Sequence, residues 1–121
     1  MHVQVPLATG SGRIIRILIQ RSVAPGATYI INGQSGSTNF GGTLLMHNKS
    51  AEIFNNILKI QQCASHQLTL TSNAGGEAGG FFDLVDVGRE AWVISGNLYA
   101  KGPHVKNPCS LVLERNYRET E

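Results

Sequence analysis

The chain has 121 residues, 41% of them hydrophobic and 15% charged, with 14 glycines and a net charge of +2. The length fits one domain of the usual ~100–150 residues. The charged fraction is well under the ~25% usual for globular proteins, a net charge of +2 is too small to argue for a nucleic-acid partner, and no apolar run is long enough to span a bilayer.

Met1 to Gly12 reads as a polar arm. Val3 and Val5 alternate with polar residues, so the arm is able to add a strand to a neighbour. Its start has neither a basic n-region nor an apolar h-region, so no secretory signal is expected. Arg13 to Val23 carries the strongest strand pattern. Ile15, Ile17 and Ile19 fall on one face, and Ile14, Arg16 and Leu18 on the other. Arg13, Arg16 and Arg21 are interleaved with isoleucine and leucine, which fits a strand with one partly solvated face; an anionic partner surface is the rival reading.

Ala24-Pro25-Gly26-Ala27 makes a turn, because Pro fixes φ and Gly accepts positive φ. Thr28 to Asn32 is a second strand, Gln34 to Gly42 a Ser/Gly-rich loop, and Thr43 to His47 a third strand. Ser50 to Gln62 is ambiguous. Ile53, Phe54, Ile57 and Leu58 recur at helical spacing behind a possible Ser50 cap, which predicts one short helix near 51–62, yet a strand reading stays open.

The β pattern returns at Gln67, with Leu68 and Leu70 on one face and Thr69 and Thr71 on the other. Asn73 to Gly80 reads as a loop, Phe81 to Val87 as a strand, and Gly88-Arg89-Glu90 as a hairpin turn. Ala91 to Ser95 follows, then a bend at Gly96-Asn97 and a strand from Leu98 to Lys101. Ser110 to Arg115 is a last strand, with Leu111 and Leu113 inward or docked on a partner. This predicts a mainly β fold: a single compact antiparallel β-sandwich or barrel, jelly-roll-like. Its expected organisation is an N-terminal arm over 1–12, one β-domain over 13–115 and a flexible tail over 116–121.

No residue pattern carries chemistry. Asp83 and Asp86 lie three apart in a strand, so they point to opposite faces and cannot converge on one substrate. His2, His47, His66 and His104 are dispersed, and no metal or cofactor is expected. The Gly75 to Gly80 run lacks the Lys-Ser/Thr of a phosphate loop and leads into a strand, and Ser95 lacks the leading glycine of a nucleophile elbow. Cys63 and Cys109 have no metal-like spacing; buried free thiols are the favoured reading, with pairing left open. Asn48-Lys49-Ser50 fits a glycosylation sequon by chance. Trp92, beside Ile94, reads as core. Phe81 and Phe82 are adjacent and face opposite sides, so one of them asks for a second buried surface.

Leu68 to Thr71, the Gly75 to Gly80 loop, Phe81 to Val87, and Trp92 to Gly96 together resemble the C-terminal strands of small β-modules in tailed-phage virions. The resemblance covers roughly residues 27–102 and is closest to capsid decoration (cement) proteins. It implies a non-enzymatic structural protein on the virion head surface, synthesised in the host cytoplasm. Such a protein would bridge subunits of the major capsid protein, with a homotrimer favoured. Val3, Val5, Arg13, Arg16, Phe81, Phe82, Leu111 and Leu113 are the expected partner-interface residues. The rival reading is a carbohydrate- or receptor-binding module of a phage fibre, built on an exposed Trp92 with Arg89 and Asp86.

Overall fold

A computed structural model describes residues 2–49, 58–102 and 105–109, with backbone alone at 58 and 59. Eight strands account for most of it: β1 His2–Val5, β2 Ile14–Leu18, β3 Tyr29–Gly33, β4 Asn39–Asn48, β5 Leu58–Ser65, β6 Gln67–Leu70, β7 Glu77–Gly88 and β8 Ala91–Ala100. They form a three-stranded sheet in the order β1-β3-β6 and a five-stranded sheet in the order β2-β7-β8-β4-β5. The two sheets pack face to face as a β-sandwich, as expected, and do not close into a barrel. Two of the pairings, β1 with β3 and β4 with β8, are parallel, so the sandwich is not purely antiparallel.

The core lies where the two sheets meet. Val5, Ile31, Leu68 and Leu70 come from the small sheet; Phe40, Leu44, Phe82, Leu84, Trp92, Ile94 and Leu98 come from the large one. Each set recurs with period two, which is how a strand presents one apolar face. Burying each such side chain contributes roughly 1.5–3 kcal/mol, so this face holds the fold.

Several elements are longer than their apolar patterns. β4 starts at Asn39, inside the expected Ser/Gly loop, and β8 runs through Gly96 without ending. β7 begins at Glu77, inside the glycine run, where a register shift between Glu77 and Phe81 absorbs the irregularity. At the inner face of β4, Gly42 has φ +147° and its missing Cβ would overlap the Ile94 carbonyl oxygen, so the central β4–β8 pair requires glycine there. The hairpin turn falls at Arg89 and Glu90, both with positive φ (54° and 59°), the geometry that matches strand twist in a two-residue turn.

Three expectations change. The strand β5 occupies 58–65, so the helix expected near 51–62 does not extend over 58–62; residues 51–57 lie outside the described residues. Among the described residues there is no helix. The N-terminal segment is not a separate arm: β1 pairs with β3, Val5 is buried, and Ala8 reaches the core. Its alternation finds a partner within its own chain. The cysteines are not free thiols, because Cys63 and Cys109 form a disulfide with a Cα–Cα distance of 5.6 Å. It ties β5 to the segment that flanks β6, where Cys109 bridges Leu68 and Thr69 N–H donates to Pro108 O. The strand expected at Ser110 to Arg115 and the tail over 116–121 lie outside the described residues.

Candidate docking face

Outward residues of the five-stranded sheet line up in rows across the strands. One row runs Ile14, Val85, Val93, Gly41, Ala64. The next is polar: Arg16, Asp83, Ser95, Thr43, Gln62. The third runs Leu18, Phe81, Asn97, Leu45, Ile60. Two apolar-rich rows therefore flank one polar row. Ile14 and Ile60 are each 64% exposed, Leu18 57% and Val93 43%. Scattered exposed apolar residues are ordinary; here four share the outer face of one sheet, which makes that face the candidate docking surface.

At the β2 end of the polar row, Arg16 and Asp83 form a two-pronged ion pair, Nε to Oδ1 at 2.7 Å and Nη2 to Oδ2 at 2.9 Å. The Arg16 guanidinium also lies 5.2 Å from the centre of the Phe81 ring. The Arg16 hydrogen bond holds the Asp83 carboxyl below the usual carboxylate range, against the opposing effect of burial. The pair leaves the polar row locally neutral.

Asp86 does a different job on the same strand. It is buried, and its Oδ2 accepts hydrogen bonds from Thr9 N–H (2.9 Å) and the Ser11 hydroxyl (3.1 Å), its Oδ1 from Gly10 N–H (2.7 Å) and Gly88 N–H (3.0 Å). Burial pushes this carboxyl up, but the Thr9, Gly10 and Gly88 N–H groups and the Ser11 hydroxyl outweigh it and hold it well below the usual range. Asp86 is thus a clasp for the segment between β1 and β2. The alternation of β7 places it on the core side; three of its partners, Thr9, Gly10 and Ser11, lie some 75 positions away and leave no trace in the local sequence.

The expected interface residues do not form one surface. Arg16 and Phe81 sit side by side on the outer face. Phe82 points the other way into the core, and Val5 is also core. Val3 is half-buried against the core on β1. Arg13 is drawn to the clasp: its Nη2 donates to Leu7 O at 2.9 Å, its Nε lies 3.6 Å from Asp86, and its guanidinium covers the Trp92 ring at 5.5 Å. Leu111 and Leu113 lie outside the described residues. The outer residues missed by sequence reading, Ile60 and Val93, are single apolar positions that only strand register brings into rows with Leu18 and Ile14.

Trp92 is buried, as is Asp86, so of the three residues nominated for a sugar site only Arg89 is exposed. Among the described residues no group of His, Cys, Asp and Glu is placed to hold a metal ion. His47 stacks on Tyr99 at 4.7 Å and meets Asn97 Oδ1 at 3.0 Å, while His66 Nδ1 meets Thr38 O at 2.9 Å. Comparisons with protein-family models, with curated proteins and with solved structures each give no match.

Proposed function

We propose that the chain is a non-catalytic virion structural protein, a capsid decoration protein that lays the outer face of its five-stranded sheet on the major capsid protein. The observation that carries this reading is the outer face of that sheet, which exposes Ile14, Leu18, Ile60 and Val93 and neutralises its arginine in the Arg16–Asp83 pair. Docking would bury the apolar rows, and repeated copies on a shell would add avidity. The Cys63–Cys109 bridge suits a protein that spends its working life outside a reducing cytoplasm, as on a virion surface. The fibre-tip alternative draws less support, because its aromatic platform, Trp92, is in the core.

Capsids of the encoding virus, intact and stripped of surface proteins, test the reading. Stripped shells should bind the chain saturably, and the double variant Ile60→Lys/Val93→Lys should fold normally but bind far more weakly. Absence of saturable binding to any shell, or full binding by the double variant, would overturn it.

A further inference from the structure

We propose that two copies of this chain pair edge to edge through β2, antiparallel about a two-fold axis at Arg16, to make one continuous ten-stranded sheet. This goes beyond shell docking and does not depend on it.

Among the described residues β2 has a strand partner on one side only, β7. The Ile19 N–H donates to Gly80 O, and Arg13 O accepts from Asp86 N–H. Odd-numbered residues of β2 therefore turn their backbone groups toward β7. By the alternation of an antiparallel ladder, Ile14, Arg16 and Leu18 turn theirs away, to the open edge. Natural edge strands are usually blunted by proline, a bulge or a charged side chain. Over Ile14–Leu18 there is no proline and no bulge, and the one charge, Arg16, is held by Asp83 of its own copy.

The five residues Ile-Ile-Arg-Ile-Leu are nearly palindromic about Arg16. With the two-fold axis there, Ile14 of each copy faces Leu18 of the other, Ile15 faces Ile17, and Arg16 faces its own counterpart. All three outward-turned residues become hydrogen-bonded pairs, so every open backbone group of the edge is satisfied. Ile14 and Leu18 are exposed on the outer face, and Ile15 and Ile17 are half-buried on the inner face, packed against the core. Apolar pairs thus form on both sides of the new ladder. The apposed arginines are the one apparent objection. Each is already bound two-pronged by Asp83 of its own copy, so the four groups form a neutral row. A two-fold contact of this kind closes at two copies and leaves no second β2 edge to propagate. It therefore favours a dimer over the trimer implied by the virion resemblance.

Sedimentation equilibrium of the full chain should show a dimer. The Ile14→Lys/Leu18→Lys variant should be monomeric, with an unchanged circular dichroism spectrum. A symmetric hydrogen-bonded pair places like residues about 5.5 Å apart, within disulfide reach. Arg16→Cys should therefore cross-link two chains on mild oxidation, whereas Ile14→Cys, far from its own counterpart, should not. A monomer at the highest soluble concentration, a trimer, or cross-linking by Ile14→Cys and not by Arg16→Cys would each overturn the proposal. The cysteine pair keeps the test decisive if the lysine variant fails to fold. Retention of the dimer by Ile60→Lys/Val93→Lys would separate this contact from shell docking.

Discussion

The inner and outer faces of the five-stranded sheet are built from the same strands and many of the same residue types, yet they serve opposite ends. On β7, Phe82 and Leu84 are sealed in the core, while their neighbours Phe81, Asp83 and Val85 look outward. On β2, Ile15 and Ile17 pack against the core, and Ile14 and Leu18 stand in solvent. The difference lies in strand parity and in what the opposite layer supplies. The three-stranded sheet covers the inner rows; among the described residues nothing covers the outer ones. Apolar character alone therefore does not separate a residue that holds the fold from one available to a partner.

Substitutions that treat the two faces alike should expose this asymmetry. Phe82→Ala removes a sealed ring from the core and should cost about 3–5 kcal/mol in denaturant unfolding. Phe81→Ala, one residue away, should cost about 1 kcal/mol or less, since its ring is only half-buried. Equal losses would mean that the outer face is structural too. Opening the Cys63–Cys109 bridge by Cys109→Ser with Cys63→Ser comes next. It releases a loop that spans 46 positions and should cost about 2–4 kcal/mol, read as a lower denaturation midpoint.

The two carboxylates of β7 give a subtler contrast. Asp86→Asn turns an amide NH2 toward backbone N–H donors in either orientation of the side chain. It should lower Tm clearly and speed hydrogen exchange at Thr9 and Gly10. Asp83→Asn, on the open face, should leave Tm almost unchanged. Both carboxyls titrate below their unfolded value of about 3.9. The unfolded chain thus takes up the proton first, so their contribution is complete above about pH 5 and erodes as the pH falls below about 4. An acid melt of Asp86→Asn should be flatter than that of the natural chain over that window, and the melt of Asp83→Asn nearly parallel to it.

Much of this division can be read from periodicity. The split of Ile15, Ile17 and Ile19 from Ile14, Arg16 and Leu18, the opposite directions of Phe81 and Phe82, and the core position of Trp92 all follow from period two. What periodicity misses is set by distant partners or hidden by residues without a pattern. Gly79 and Gly80 carry no side chain to alternate, so the start of β7 is invisible locally. Gly41 and Gly42 hide the start of β4 in the same way. Val5 reads as an arm residue until β3 lies beside β1. The cysteines show no pairing signal because their proximity depends on β5 and the 105–109 segment meeting across β6. Asp86 looks like a surface carboxylate until the loop before β2 folds over it.

The strand order also sets a sequence of events during synthesis. β2 has its ladder partner in β7, with Arg16 and Asp83 67 positions apart, and β4 waits for β8 on one side. The hairpin Glu77–Gly88 and Ala91–Ala100 is local, but it is made late. The isoleucine-rich β2 must therefore stay unpaired until most of the chain has left the ribosome. Such long-range pairing makes folding slow and the nascent chain prone to stray association. The arginines that interrupt that apolar stretch, Arg13, Arg16 and Arg21, then act as gatekeepers before they serve any role in the finished protein.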